Sequence, residues 1–364
     1  MTTSTTPLRA ALIGCGRRMR TEGATGCGMG REHVRGYLDA GAENVQLVAL
    51  CDTNEESARL YQDEFSLTDD TRIYTDSAEM LKSEKPDMVS VALWPHLHAP
   101  MVIACAEAGV RAIHCEKPMA LTWGDARRMA EACEKSGTQL TFDHQRRFGT
   151  PFRTAKKMLD AGEIGDLLRV EATCDNLYDW GTHWFDMVLF FNDNAPVEWV
   201  IGQIEPRGSR KVFGAPVERQ GISHFKFASS GVRGLLVTGK DTGWGAQIRL
   251  SGTNGVIELG YSSSQGERPL RVLGKSANGW QDVPCDESLH GPHFIERAIA
   301  DAIDALKTGR EPELSARRAL QATELIFATW ESARRGGRVE LPLTIEDSPL
   351  QDLVDKLPAV AGSG

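Results

Sequence analysis

Short apolar runs alternate with amphipathic, helix-like stretches along the first 145 residues. This alternation predicts repeated βα units and a parallel sheet. Between two of the runs, Pro100–Ala108 predicts a helix that stops at Gly109. We expect a doubly wound α/β domain over residues 1–145. Its predicted strands are Leu8–Ile13, Val45–Cys51, Met88–Leu93, Val110–Cys115 and Thr138–Phe142.

After Phe148 the pattern changes to a helix, Phe152–Ala161, followed by runs in which apolar and polar residues alternate. Short alternating strands joined by Gly, Ser and Asn turns predict an α+β domain around a large, mostly antiparallel open sheet. We expect it to span residues 146–343, with residues 344–364 as a tail. The predicted strands are Leu167–Thr173, Val197–Ile204, Ser223–Phe227, Gly234–Thr238, Ala246–Ser251 and Gly255–Leu259, and the later helices are Phe294–Leu306 and Ala316–Arg334.

Composition narrows the classes of function. The chain has 364 residues, and its formal charge of −9 argues against nucleic acid or an anionic membrane as a partner, because both need a basic surface. We see no leader and no apolar run of about 20 residues, so we expect a cytoplasmic protein. The eight cysteines are scattered without zinc-like spacing, which predicts reduced core thiols and no metal site.

A glycine-rich turn, Gly14-Cys15-Gly16, directly follows the first predicted strand. In a dinucleotide-binding unit such glycines let the backbone approach a pyrophosphate that rests on the next helix. Met19 occupies the position where this motif has its third glycine. The motif resumes at Gly30 if residues 18–28 are an insertion. We therefore predict cofactor contacts from Gly14, Gly16, the adjacent Arg17 and Gly30.

Asp52 ends the second predicted strand, where a carboxylate can accept both ribose hydroxyls of an adenosine. No cation follows it, and its own charge would repel a 2′-phosphate. NAD(H) is thus favoured over NADP. The structural alternative is that Asp52 caps the following helix, and one side chain can do both.

Trp94, Pro95 and His98 follow the third predicted strand, in the crevice where open α/β sheets bind ligands. Trp94 beside the stiff Pro95 is expected either to pack against the nicotinamide or to stack on a sugar face. His98 is either a cofactor contact or a polar group satisfied at a helix start. Both interpretations stay open on the sequence.

Candidate chemistry lies in Glu116-Lys117-Pro118 and in Asp179-Trp180-Gly181-Thr182-His183. The Lys117 ammonium can hydrogen-bond a reacting oxygen, and His183 can take a hydroxyl proton. The Asp179 carboxylate can orient the His183 ring or bind a neighbouring hydroxyl. Structural alternatives are a Lys117–Glu116 salt bridge and a local role for the Asp179/His183 pair. We expect Glu116 and Lys117 to contact the cofactor as well.

Aromatic side chains in and around residues 179–183, together with Trp244, could stack on the rings of a sugar, although we expect at least two of them to be core residues. These side chains are Tyr178, Trp180, Trp184 and Trp244.

These motifs, in this order, resemble the Gfo/Idh/MocA family of sugar and inositol oxidoreductases. The similar segments also include HQRRF (144–148), AKKMLDAGEIGDL (155–167), SGTNGVIELG (251–260) and ESARRGGRVELPL (331–343). The resemblance implies a Rossmann domain, an α/β domain whose open sheet forms a homodimer or homotetramer interface, and catalytic roles for Lys117, Asp179 and His183. It also implies a cis Lys117-Pro118 peptide, and Arg147 near the nicotinamide unless it forms a salt bridge.

The expected function is therefore NAD-dependent hydride transfer at a secondary hydroxyl of a sugar, sugar derivative or cyclitol. Tyr178, Trp244 and the three catalytic residues would bind this substrate. Two alternatives remain: a glycoside hydrolase or lyase that retains NAD and oxidises its substrate transiently, and a non-enzymatic dinucleotide sensor. The sequence departs from the family pattern at the insertion of residues 18–28 and at His96, where many relatives carry asparagine.

Overall fold

The computed structural model describes residues 6–17, 28–208, 210–240, 245–263 and 266–357. The chain divides into two compact units. The first combines residues 1–120, 125–145 and 293–319, and the second combines residues 121–124, 146–292 and 320–364. This grouping differs from the continuous division expected from the sequence, because residues 293–319 belong with the first unit.

Strands and helices are numbered in chain order. The strands are β1 (Leu8–Ile13), β2 (Val45–Cys51), β3 (Arg72–Tyr74), β4 (Met88–Val91), β5 (Ala112–Cys115), β6 (Gln139–Phe142), β7 (Leu167–Cys174), β8 (Val197–Glu205), β9 (Arg210–Val212), β10 (Ala215–Val217), β11 (Gln220–Phe227), β12 (Arg233–Gly239), β13 (Ala246–Gly252), β14 (Gly255–Ser263), β15 (Gly266–Gly274), β16 (Gln281–Asp282) and β17 (Val339–Glu340). The helices are α1 (Gly30–Asp39), α2 (Glu55–Glu64), α3 (Ser77–Glu84), α4 (Pro95–Glu107), α5 (Trp123–Ser136), α6 (Thr150–Asp160), α7 (Gly181–Phe191), α8 (Phe294–Thr308), α9 (Ala316–Arg335) and α10 (Pro349–Asp355).

The sheet of the first unit has the order β3-β2-β1-β4-β5-β6, and every adjacent pair is parallel. This is the strand order of a Rossmann fold, with the reversal between β1 and β4. The predicted doubly wound fold is confirmed. Because the strands are parallel, the residues that follow β1, β2, β4 and β5 come together at one edge.

Helix α4 begins at Pro95, five residues before the predicted start at Pro100. Proline suits this first position because its missing N–H would be unpaired there in any helix. Pro100 lies inside the helix. The segment from Pro95 to His98 is therefore the first turn of α4, ahead of the helix start at Pro100 expected from the sequence.

Helix α8 packs on α1 within the first unit, through a close contact at Gly36. A Cβ added to Gly36 would lie 2.5 Å from Cδ1 of Ile299, so a larger residue would force the Ile299 side chain to shift. Ile299 is fully buried in a cluster that also contains Val34 and Leu12. The hydrophobic core of the first unit thus includes a helix that lies about 260 residues away from α1 in the chain.

The second unit contains a sheet of order β16-β15-β14-β13-β7-β12-β11-β8-β17. Strand β7 pairs parallel with β12 and antiparallel with β13, and the other adjacent pairs are antiparallel. A large, mostly antiparallel sheet was predicted and is confirmed. Helix α7 packs against β7 and β12 of this sheet.

Several segments of the second unit differ from the expectation, including the unpredicted short strands β9, β10, β16 and β17. Strand β15 was not predicted, because Pro269 and several charges break its apolar alternation. Within the expected tail, α10 forms with Ser348 as its N-cap, and its Leu350 is fully buried. None of the described helices is both long enough and apolar enough to cross a bilayer.

The seven cysteines that the structure describes are free thiols, five of them buried. This agrees with the expected reduced thiols, and burial raises the pKa of Cys105 and Cys133 to about 12. Cys27 lies outside the described residues.

We expect Ile299→Ala to lower the free energy of unfolding by about 2–5 kcal/mol, because it leaves a cavity between α1 and α8. Leu38→Ala is the control, since Leu38 lies on α1 and is 46% exposed. That change should cost about 0.5 kcal/mol or less. Urea unfolding followed by circular dichroism measures both, and equal losses would contradict the packing of α8 on α1.

Candidate functional site

The turn after β1 requires glycine at two positions. Gly14 has a φ of 104°, and a Cβ there would lie 2.4 Å from the carbonyl oxygen of Ala92. A Cβ on Gly30, the first residue of α1, would lie 2.5 Å from the carbonyl oxygen of Gly14. The turn and the start of α1 are thus in backbone contact, as a pyrophosphate cradle requires.

Gly16 is held by side chains of the first unit. Its carbonyl oxygen accepts hydrogen bonds from the Tyr61 hydroxyl at 2.9 Å and from Nη1 of Arg31 at 3.1 Å. Arg31 also donates to Glu64 at 2.6 Å. The neighbouring Arg17 forms an ion pair with Glu56 at 2.9 Å. Residues 18–27 of the predicted insertion lie outside the described residues.

Asp52 is bound to the same turn. Its Oδ2 accepts the amide of Cys15 at 2.8 Å, and its Oδ1 accepts the amide of Asn54 at 2.9 Å. The N-cap of α2 is Asn54, whose side chain accepts the amide of Glu56, so Asp52 does not cap this helix. Each carboxylate oxygen keeps a lone pair for a ribose hydroxyl.

Trp94 precedes α4 and is 37% exposed. His98, one turn into the helix, is fully buried. Its Nε2 lies 3.0 Å from the carbonyl oxygen of Leu93, and its Nδ1 lies 3.0 and 3.1 Å from those of Pro118 and Met119. Burial lowers the pKa of His98. These contacts fit the interpretation of His98 as a polar group satisfied at the start of a helix. Contact between His98 and a cofactor stays a prediction.

Glu116 directly follows β5 and is buried. Its Oε1 lies 3.1 Å from Nε2 of His33, and its Oε2 accepts the amide of Lys117 at 3.2 Å. Lys117 itself is half-buried. The expected cis peptide between Lys117 and Pro118 is present.

Sequence reasoning missed a polar network beneath this segment. Ser90 on β4 lies 2.9 Å from Nδ1 of His33 and 2.7 Å from the Tyr37 hydroxyl. His33 and Tyr37 have the spacing of one face of α1, which reads as ordinary helix periodicity. A polar side chain at each of these positions was the available signal, but polar residues on a helix are usually exposed.

In the second unit, the loop before α7 carries Asp179. The Asn176 side chain accepts the amides of Tyr178 at 3.0 Å and of Asp179 at 2.7 Å, which fixes this turn. Helix α7 begins at Gly181, so Asp179 precedes it and His183 lies in its first turn. His183 is buried and Asp179 is half-buried.

A fully buried carboxylate, Glu218, supports the same loop. It accepts the amide of Leu177 at 2.6 Å, the hydroxyl of Thr238 at 3.0 Å and the indole N–H of Trp330 at 3.3 Å. Burial raises the pKa of Glu218 despite these donors. Sequence reasoning missed Glu218, because its three donors are distant in the chain.

Arg147 is fully buried and forms a two-pronged ion pair with Asp186 of α7. Its Nε and Nη2 each lie 2.8 Å from a carboxylate oxygen of Asp186, and Nη2 also donates to Asn194 at 2.7 Å. Arg147 therefore forms a salt bridge, which was one of the two interpretations of this residue. A contact with nicotinamide stays a prediction.

Of the aromatic side chains considered for stacking on a sugar, Tyr178 and Trp184 are core residues, as expected for at least two of them. Trp180 is 39% exposed, and Arg146 lies over its ring at 5.4 Å and over that of Trp184 at 4.9 Å. Trp244 lies outside the described residues.

Two family models match the chain. One, described as an oxidoreductase family with an NAD-binding Rossmann fold, matches residues 8–144, and the other, the C-terminal alpha/beta domain of that oxidoreductase family, matches residues 156–341. The chain belongs to the Gfo/Idh/MocA oxidoreductase family. The resemblance seen in the motifs is confirmed, and the protein is an oxidoreductase with an NAD-binding fold.

Similar proteins include dehydrogenases named for sugars and cyclitols. A D-apiose dehydrogenase of Paraburkholderia graminis is 28% identical, covering 96% of this chain and 93% of that protein. An inositol 2-dehydrogenase of Saccharopolyspora erythraea is 33% identical over 49% of this chain and 51% of that protein. The crystal structure of an Agrobacterium radiobacter oxidoreductase with NAD+, L-tartaric acid and magnesium has a TM-score of 0.75 at 22% identity, covering 92% of this chain and 98% of that one, which shows the fold.

We expect Arg147→Met to destabilise the second unit by about 3–5 kcal/mol, because it leaves the Asp186 carboxylate buried without its partner. The double variant Arg147→Met/Asp186→Leu should recover most of this loss. Thermal unfolding measures both effects. Fluorescence titration with NADH then separates the two interpretations of Arg147: wild-type affinity in the folded double variant indicates a purely structural ion pair.

Proposed function

We propose that the protein is an NAD-dependent dehydrogenase acting on a secondary hydroxyl of a sugar, sugar derivative or cyclitol. The observation that carries this proposal is Lys117, which follows the carboxyl end of β5 and whose amide is bound by a buried carboxylate. The same chain presents Asp179 and His183 at the start of α7. The names of the apiose and inositol dehydrogenases support the substrate class.

In this proposal the Lys117 ammonium donates a hydrogen bond to the reacting oxygen, and His183 takes the hydroxyl proton. Asp179 orients the His183 ring or binds a neighbouring hydroxyl. When bound, NAD supplies the hydride acceptor at its nicotinamide ring. The chain positions the substrate and moves the proton. The meeting of Lys117 with His183 is part of this proposal.

The first unit has the residues to hold the cofactor. The backbone at Gly14, Gly16 and Gly30 would receive the pyrophosphate, with Arg17 beside it. Asp52 would accept the adenosine ribose hydroxyls, since its carboxylate is fixed by two amides. We place Trp94, Pro95, His98, Glu116 and Arg147 near the nicotinamide as further expected contacts. NAD is proposed over NADP because of the charge of Asp52.

On the substrate side, the exposed Trp180 is available for stacking on a sugar ring, with Trp244 as the other proposed contact, whereas the buried Tyr178 packs in the core. We also propose a cytoplasmic homodimer or homotetramer formed through the nine-stranded sheet. On one face of this sheet Ile201 and Ile222 are 46% and 42% exposed. Apolar side chains exposed next to one another on a sheet face are typical of an interface.

Lys117→Ala should lower kcat/KM by about 100- to 10,000-fold, because the reacting oxygen loses its hydrogen-bond donor. Absorbance of NADH formed with a panel of sugars and inositols measures the loss. Lys82→Ala, a change at an exposed lysine of α3, is the control. Full activity of the Lys117 variant would remove this lysine from the mechanism. Release of an aglycone without net NADH would instead indicate the retained-NAD hydrolase or lyase.

Asp52→Asn should lower the preference for NAD over NADP by about tenfold or more, since the repulsion of a 2′-phosphate is lost. The ratio of kcat/KM for the two cofactors measures this preference. Asp69→Asn, at an exposed aspartate of the same unit, should leave the ratio unchanged. An unchanged ratio in the Asp52 variant would mean that other residues select the cofactor.

A further inference from the structure

A buried imidazole lies behind the segment that carries Lys117. His33 is on α1, and its ring is fully buried. Its two nitrogens have different partners: Nδ1 lies 2.9 Å from the Ser90 hydroxyl, and Nε2 lies 3.1 Å from Glu116. The side chain is thus fixed at both nitrogens, within the first unit.

Glu116 uses both of its carboxylate oxygens. One pairs with His33, and the other accepts the amide of Lys117 at 3.2 Å. The carboxylate is therefore a bridge between α1 and the backbone of the lysine. If the bond to His33 is lost, a buried carboxylate keeps only a main-chain donor and must rotate or take up a proton.

We propose that His33 is a positioning residue: it holds Glu116 in the rotamer that fixes the Lys117 backbone, and so aims the Lys117 ammonium at the reacting oxygen. This inference rests on the proposed dehydrogenase activity of the same lysine. His33 touches neither substrate nor cofactor in this role.

The charges around the pair support it. Burial alone would lower the pKa of His33, but the hydrogen bond and charge of Glu116 outweigh burial and raise it. Burial alone would raise the pKa of Glu116, but the bond to His33 and its charge lower it. Both shifts favour the ion-paired form of His33 and Glu116, whose mutual bond is stronger than that of a neutral pair. Other groups facing His33 are Glu32, Tyr37, His114 and Asp143.

A metal ion is the competing interpretation of this cluster. Ligand atoms of His33, His114 and Asp143 lie within 4.8 Å of one another, and Nε2 of His114 is 3.7 Å from Oδ1 of Asp143. Metal binding needs a nitrogen lone pair on each histidine. Both nitrogens of His33 are engaged in hydrogen bonds, and Glu116 favours its protonated ring. The remaining members, His114 and Asp143, have no hydrogen-bond partner at Nε2 and at the two carboxylate oxygens among the described residues, but two ligands are fewer than a metal site needs.

Two isosteric substitutions separate the two bonds of His33. His33→Asn retains an amide near Ser90 but does not reach Glu116, whereas His33→Gln extends a donor towards Glu116. We expect the Asn variant to lose about 10- to 100-fold in kcat with KM nearly unchanged, because the lysine is misplaced rather than the substrate lost. The Gln variant should keep most of the wild-type kcat. Tyr37→Phe, a change in the same network that leaves Glu116 bonded, should behave as wild type.

A second measurement does not need turnover. In protein labelled with isotopic lysine, the Lys117 amide resonance is identified by its loss in Lys117→Arg. It should move in His33→Asn and return towards its wild-type position in His33→Gln. If the wild type oxidises no sugar or cyclitol, the proposed function fails, and this resonance alone decides whether His33 fixes the lysine backbone.

Two results overturn the proposal. One is a folded His33→Asn variant with wild-type kcat and an unmoved Lys117 resonance, whose lowered melting temperature would show a purely structural pair. The other is a stoichiometric metal ion in the purified protein, found by elemental analysis and lost in His33→Asn. If the Asn variant does not fold, the same kinetic and resonance criteria apply to Glu116→Gln. This change weakens the bond between His33 and Glu116 by removing the charge of the carboxylate.

Discussion

A carboxylate removed from water must receive hydrogen bonds, and in this protein that requirement fixes both loops that carry candidate catalytic residues. In the first unit Glu116 accepts the amide of Lys117. In the second, Glu218 accepts the amide of Leu177, two residues before Asp179. Each carboxylate also receives side-chain donors from other elements. Because the bound groups are main-chain amides, the backbone of each loop is set by the fold itself, before any ligand binds.

The parallel sheet explains why the cofactor-binding features converge. The turn after β1, the carboxylate after β2 and the segment after β5 all lie at the carboxyl edge, because neighbouring strands run the same way. The hydrogen bond from Cys15 to Asp52 joins two of these features directly. An antiparallel sheet would place them at alternating edges. The mostly antiparallel sheet of the second unit instead supports α7 on one face, which places His183 in the first turn of a buried helix.

Local sequence patterns predicted much of the fold. The apolar runs predicted five of the six parallel strands, and the order of motifs indicated the family. Patterns failed where local chemistry is ambiguous: Pro95 opens α4 although Pro100 inside the helix suggested a later start. Strand β3 is only three residues long and half exposed, so it has no apolar signature. The return of α8 to the first unit has no local signal, since an amphipathic helix does not specify the face on which it packs.

The sequence by itself determined most of the parallel strands, the glycine turn and the identity of the candidate catalytic groups, because these depend on residues close together in the chain. Only the tertiary structure decided the partners of the buried charges. His33 and Glu116 are 83 residues apart, Leu177 and Glu218 are 41 apart, and Arg147 and Asp186 are 39 apart. Such pairs form because burial makes an unpaired charge costly, and which groups become neighbours is fixed by packing rather than by chain order.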